Sequence, residues 1–427
     1  MRNIDGKPLS RTAGVAIATL FAVLVILFGA DPAAALPIRQ GQWYLAPLQI
    51  TQAQQLTRGQ GVTVAVIDTG VDADVPELSG KVVSGTGFGP GQGTDGRTDA
   101  EGHGTAMATL IAGSGADGRV LGVAPEATVL PVQVLGAKGG GPSSAIAQGL
   151  RYAADHGAKV ANLSLGGQGA TGSDLLSAIQ YAQSKDVVVV AAAGNIANGD
   201  RVVANIASVP GVVAVAGIGR DGNAWDGSAT GPETVVAAPA MNIIIPSPSA
   251  DPSYQLSDGT SQATAITSGV VALIRAQYPN LNAANVIQRL ISTVQDKGPA
   301  GRDNAYGFGE IQAYSALTGN VQQVTANPLL AGAPADGTPS DNPTQGGTPP
   351  NLQPIPMQPA QPGAGQPQAG GAQPDGNGLL IAAIAVGGGL MGLVIIAAAS
   401  VLIVIVRRRT EPAPAYYPYA GYRPPGY

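Results

Sequence analysis

No cysteine occurs in the 427 residues, and there are only two histidines, four phenylalanines and two tryptophans. Without cysteine the chain has no disulfide, no thiolate metal site and no thiol nucleophile. Any imidazole chemistry must use His103 or His156. Charge is scarce too: 22 Lys and Arg stand against 27 Asp and Glu, for a net charge of −5. No basic stripe is present, so nucleic acid is not an expected partner. Few aromatic residues are available to stack on sugars, which argues against a wall-binding module.

What is present is unevenly distributed. Arg2, Lys7 and Arg11 lead into an apolar run at 13–30, then Ala33, Ala34 and Ala35. These are the basic, apolar and small-residue parts of a secretory signal, so residues 1–35 are expected to be a signal peptide cleaved after Ala35. Residues 36–61 read as a short N-terminal extension. Residues 62–318 read as one globular domain, long enough to bury a large core. Residues 319–377 are rich in Pro, Gly and Gln. Such a segment cannot bury enough surface to offset the entropy of ordering, and is expected to be a flexible linker. The run at 379–406 carries no charge and exceeds the about 20 residues that a membrane helix needs. Arg407, Arg408 and Arg409 follow it, and clustered basic residues stay on the cytoplasmic side. Residues 378–406 are therefore expected to be a single transmembrane helix, with 407–427 a cytoplasmic tail and the domain facing outward from the cell membrane.

Within the domain, short Val-, Ile- and Ala-rich runs at 62–67, 128–134, 159–163, 187–192 and 211–216 read as buried strands. Helical patterns at 143–155 and 172–184 lie between them. Strand–helix alternation argues an α/β fold: a mostly parallel sheet covered on both faces, with chemistry beyond the carboxyl ends of the strands.

Four places at such ends carry reactive groups. Asp68 closes the first strand in Ile67-Asp68-Thr69-Gly70, although Asp before Thr-Gly is also a plain turn former. His103 lies in Gly102-His103-Gly104-Thr105, where two glycines permit close approach; His156, at a helix C-terminus, fits a favourable surface cation instead. Ser261, in Gly259-Thr260-Ser261, heads an apolar helix whose free N–H groups favour an anion, and an N-cap serine is the plainer reading. Asn195, in Ala192-Ala193-Gly194-Asn195, has an amide able to donate into a cleft, or is a simple loop residue.

Together these blocks, in the order Asp, His, Asn, Ser, resemble the signature segments of the subtilase family; the order is that known from subtilisin. Asn162 with Ser164, Leu165, Gly166 and Gly167 is similar to that family's substrate-binding edge, and Tyr306-Gly307-Phe308-Gly309 to its closing block. The resemblance implies a subtilisin-like three-layer domain and a serine endopeptidase acting on protein or peptide substrates. It implies Asp68, His103 and Ser261 as catalytic residues and Asn195 as oxyanion donor. Ser164, Leu165, Gly166, Gly167 and Ala193 would bind substrate; the small ones suggest an open cleft without a charged base. No cofactor and no metal are expected: Asp72 and Asp74 are the nearest calcium candidates and read as a solvated loop. Gln262 stands where the family often has Met, and Ala265 where it usually has Pro.

The extension, with Gln42-Trp43-Tyr44-Leu45, is too short for the folding prodomain of many secreted subtilisins. Joined to a Pro-rich linker, one span and a short tail, it looks like the mycosins, the subtilases of type VII secretion systems. That implies a type VII secretion membrane complex as partner. An alternative reading is a structural stabiliser of such a complex with dispensable protease activity.

Overall fold

The computed structural model describes residues 38–136, 140–167, 171–247 and 254–330. The chain divides into two units, Met1–Ser340 and Asp341–Tyr427, and every described residue belongs to the first. The expected signal peptide, transmembrane helix and tail, and the linker beyond 330, lie outside the described residues. Among the described residues no helix is long and apolar enough to cross a membrane.

Two short helices come first, α1 (Ile38–Gly41) and α2 (Ile50–Leu56). They are followed by β1 (Thr63–Asp68), β2 (Thr86–Gly87), α3 (His103–Ala112), β3 (Thr128–Gln133), α4 (Ser143–Asp155), β4 (Val160–Leu163), α5 (Ser173–Ser184) and β5 (Val188–Ala192). Then come β6 (Val213–Ile218), β7 (Val236–Pro239), β8 (Ile243–Pro246), β9 (Tyr254–Ser257), α6 (Thr260–Gln277), α7 (Ala283–Ser292) and α8 (Ala313–Thr318). Seven strands form one sheet in the order β2-β3-β1-β4-β5-β6-β7, and every pairing in it is parallel. Strands β8 and β9 form a separate antiparallel pair.

The sheet is covered on both sides, and β1 shows how. Successive residues of a strand point to opposite faces. A Cβ on Gly149 of α4 would meet Ile67, and one on Gly104 of α3 would meet the Asp68 Cβ. Helices α4 and α3 therefore lie on opposite faces, and β1, β4 and β5 are buried nearly throughout. This is why they read as continuous apolar runs rather than alternating ones. Helix α6 is buried from Thr260 to Arg275. Two of its threonines bond back to the preceding turn: Thr264 Oγ1 donates to Thr260 O and Thr267 Oγ1 to Ala263 O, at 2.7 and 2.8 Å. Ser268 Oγ donates to Asn162 Oδ1 at 3.0 Å, tying the helix to β4.

Three features differ from the sequence reading by more than a one-residue shift at the end of an element. The strand expected at 211–216 begins at Val213, because Gly211 has a φ of 86° and Val212 N–H turns back to Val209 O. The extension is part of the core: Tyr44, Leu48, Ile50 and Ala53 are fully buried, and Gln42 bridges both backbone groups of Leu121. The linker's expected start at 319 is corrected too. Val324 exchanges two hydrogen bonds with the Asn285 side chain, and Asn327 Nδ2 donates to Gly211 O. Docked side-chain partners on α7 outweigh the polar composition of this stretch, and described structure continues to Leu330.

Candidate active site

Asp68 closes β1 at its carboxyl end and is fully buried. A buried carboxylate is costly unless hydrogen-bonded. Its Oδ1 accepts Thr69 N–H at 2.8 Å and lies 2.8 Å from His103 Nδ1. The carboxylate only accepts, so Nδ1 carries the proton and Nε2 is left with a free lone pair.

His103 opens α3 and reaches Asp68 because the backbones nearly touch. A Cβ on Gly104 would fall 2.0 Å from Gly70 O, and Gly70 itself has a φ of 109°. The start of α3 is held by Asp99, whose carboxylate accepts Gly102 N–H, Thr105 N–H and Thr105 Oγ1–H at 2.8, 2.9 and 2.7 Å. Thr69 Oγ1 accepts Gly104 N–H at 2.9 Å. The Glu101 carboxylate accepts His103 N–H at 3.0 Å. Burial alone would lower the His103 pKa. The charge and hydrogen bond of Asp68, with the charges of Glu101 and Asp99, outweigh burial and raise it to about 9.

Ser261 sits in the first turn of α6, where backbone N–H groups have no partner within the helix. The residue is 8% exposed. Its Oγ donates to Ser164 O at 3.1 Å, and Ser164 Oγ donates to Ser261 O at 2.9 Å. This reciprocal pair locks the helix start to the segment beyond β4. The hydroxyl is thus bonded to Ser164 rather than to the His103 ring, although Ser261 and His103 line one cleft. Gln262 Nε2 donates to Ser257 Oγ at 2.7 Å, so β9 is tied to the same turn.

Asn195 follows β5. Its Oδ1 accepts Thr260 N–H and Thr260 Oγ1–H at 2.9 and 3.1 Å. With the oxygen so occupied, Nδ2 is the end of the amide left to donate elsewhere. The cleft has a volume of about 500 Å³ and is lined by these groups with Ser164, Leu165, Gly166 and Gly167.

Most of the residues singled out in the sequence thus meet in one place; Ala193 does not. It is fully buried, its N–H donates to Val215 O and its carbonyl accepts Ala204 N–H, and its neighbours Ala192 and Gly194 line the cleft instead. The cleft expected to lack a charged base has two carboxylates in its lining. Glu101 and Asp200 line the cleft, and the Asp200 carboxylate lies 3.6 Å from where a Gly166 Cβ would be. Sequence reasoning passed over Asp99, Glu101, Asp200 and Thr260. The signal for Asp99 was its place four residues before His103; Asp200 lies in an Asn-Gly-Asp stretch that reads as a solvated turn. Asp72 and Asp74 form a local turn, Asp74 N–H donating to Asp72 Oδ1, and no group of three potential metal ligands occurs among the described residues.

Comparison with known proteins gives a match to the subtilase family over residues 59–309. Thermitase from Thermoactinomyces vulgaris is 37% identical over 272 residues, covering 63% of this chain and 93% of the relative. Mycosin-3 from Mycobacterium tuberculosis is 34% identical over 372 residues, 73% of this chain and 77% of the relative. Among solved structures, MycP1 from Mycobacterium smegmatis aligns with a TM-score of 0.58 at 28% identity, covering 66% of this chain and 85% of that one. The MycP3 protease from the type VII (ESX-3) secretion system aligns with a TM-score of 0.55 at 33% identity, covering 69% and 90%.

Proposed function

The chain belongs to the subtilase family of serine peptidases, and from that premise we propose that Ser261, His103 and Asp68 carry peptide-bond hydrolysis on a domain anchored outside the cell membrane, beside a type VII secretion complex. The observation that carries the catalytic part is the 2.8 Å bond between His103 Nδ1 and the buried Asp68, at the wall of a cleft that also holds Ser261 and Asn195. A scaffold has no use for three such groups in one cleft with a buried carboxylate behind the histidine, which favours turnover over a purely structural role. The secretion-system part rests on the likeness to Mycosin-3 and MycP3.

The steps follow from the atoms. An extended peptide pairs with Ser164, Leu165, Gly166 and Gly167 by strand addition, which brings the scissile carbonyl to Ser261. The Ser261 hydroxyl turns from Ser164 O to His103 Nε2, which takes its proton as Oγ attacks. Asn195 Nδ2 and Ser261 N–H donate to the oxyanion that forms. His103 passes the proton to the leaving amine, and water repeats the sequence on the acyl-enzyme. Asp68 stays ionised throughout, holding the tautomer and stabilising the imidazolium.

His103 must be neutral to accept the proton. With its pKa raised to about 9, kcat/KM is expected to rise with pH and level off only above that value. Glu101→Gln removes an anion that favours the charged ring, so it lowers this pKa and moves the acid limb to lower pH. A pH profile of both proteins on a neutral peptide substrate checks the direction; an unmoved or alkaline-shifted limb contradicts it.

The absence of cysteine makes the topology directly testable. A single cysteine at Ser340 is expected to react with a membrane-impermeant maleimide on intact cells, and one at Ala420 only after permeabilisation. Labelling of Ala420→Cys on intact cells would remove the proposed anchor.

A further inference from the structure

We propose that Asp200 is a positioning residue that holds loop 195–200 so that the Asn195 amide faces the oxyanion. This rests on Asn195 being the oxyanion donor. Asp200 is 5% exposed, and its Oδ2 accepts the Asn195 backbone N–H at 2.9 Å. Its own N–H donates back to Asn195 O at 3.2 Å. The two residues therefore close the loop on itself, one through a charged acceptor and the other through the main chain. Inside the closure Asn198 N–H also bonds to Asn195 O, at 2.9 Å.

The turn that this closure supports is an unusual one. Gly194 has a φ of 109°, and a Cβ there would lie 2.8 Å from both Cβ and Oδ2 of Asp200. The carboxylate packs directly on the glycine whose conformation aims Asn195. Two anchors then fix one donor: Thr260 holds the Asn195 side-chain oxygen, as described above, and Asp200 holds its backbone nitrogen. A hydrogen bond to an ionised acceptor is about twice as strong as a neutral one. It adds to the ties that the loop already has, a single helical turn at Ile196–Asn198 and the bond from Ile196 N–H to Gly227 O.

The proposal separates positioning from charge recognition. A carboxylate that binds a basic substrate side chain needs its charge; one that anchors an N–H needs only an oxygen at the same place. Asp200→Asn keeps an oxygen there and Asp200→Ala does not. Steady-state kinetics on one neutral and one basic peptide substrate are the test, with thermal unfolding of each variant as a fold check. Asp200→Ala is expected to lower kcat about 10–100-fold on both substrates with little change in KM, as for a misplaced catalytic group. Asp200→Asn is expected to restore kcat to within about threefold of the parent. Asn195→Ala lowers kcat about 10²–10³-fold, and adding Asp200→Ala to it is expected to cost nothing further, because the donor being aimed is gone. If Asp200→Ala does not fold, Asp200→Ser, too short to reach Asn195 N–H, takes its place in the cycle. Losses that multiply in the double variant, or an Asp200→Asn as poor as Asp200→Ala, overturn the proposal. An unchanged kcat in Asn195→Ala overturns the oxyanion assignment beneath it, and the single-variant data tell the two failures apart.

Discussion

Replacing Ser261 by Ala is expected to lower kcat for peptide hydrolysis by about 10⁶, the loss that the nucleophilic serine carries in subtilisin. The expected residue of activity comes from binding and the oxyanion donors, which still act on water attack. The fold survives, because the change removes one hydroxyl and no packing volume that matters. The hydrogen bond to Ser164 O is lost, while the reverse bond from Ser164 Oγ to Ser261 O stays. A net loss of about 1 kcal/mol in stability is what one such bond is worth. Activity and thermal unfolding measured together check both halves; a drop in activity that tracks unfolding would leave the serine without a chemical role.

Asp68→Asn is the second large effect, about 10⁴ in kcat near neutral pH, again the magnitude known for the triad carboxylate. The amide has nearly the same shape, so the cavity around it is kept. It turns a donor toward Nδ1, however, and the proton of the ring moves to Nε2, where it blocks acceptance from Ser261. A second consequence distinguishes this from general damage. The charge and hydrogen bond of Asp68 are what overcome burial and raise the His103 pKa. With them gone, burial works unopposed by Asp68 and the pKa falls. The residual activity of Asp68→Asn is therefore expected to have its acid limb at lower pH than the parent. A limb that stays near 9, or moves higher, contradicts the assigned role of Asp68.

The sheet and the reactive groups were legible in the sequence for different reasons. Strands β1, β3, β4 and β5 are continuous apolar runs because both faces of the sheet are covered, and that pattern is local. His103 was identified by scarcity, since only His156 competes with it, and His156 stacks on Tyr152 at a ring distance of 3.7 Å on the surface. Other features depended on contacts between distant segments. Strand β7 is four residues ending in proline, acceptable only because it lies at a sheet edge. Asp99 and Asp200 sit in polar, glycine-containing stretches, and nothing local distinguishes a carboxylate that holds a catalytic turn from one in water. The docking of 319–330 was hidden for the same reason: its partners, Asn285 and Arg289, come from a helix 30 or 39 positions earlier.

The central claim is that Ser261 is the nucleophile, activated through His103 and Asp68. A fluorophosphonate probe reports this most directly, because it reacts far faster with an activated serine than with an ordinary hydroxyl. Reacted with the purified domain, it is expected to label one site per molecule, to be recovered on the peptide containing Ser261, and to label more slowly as pH falls below the His103 pKa. Labelling that persists in Ser261→Ala, or that maps to a different residue, would contradict the account.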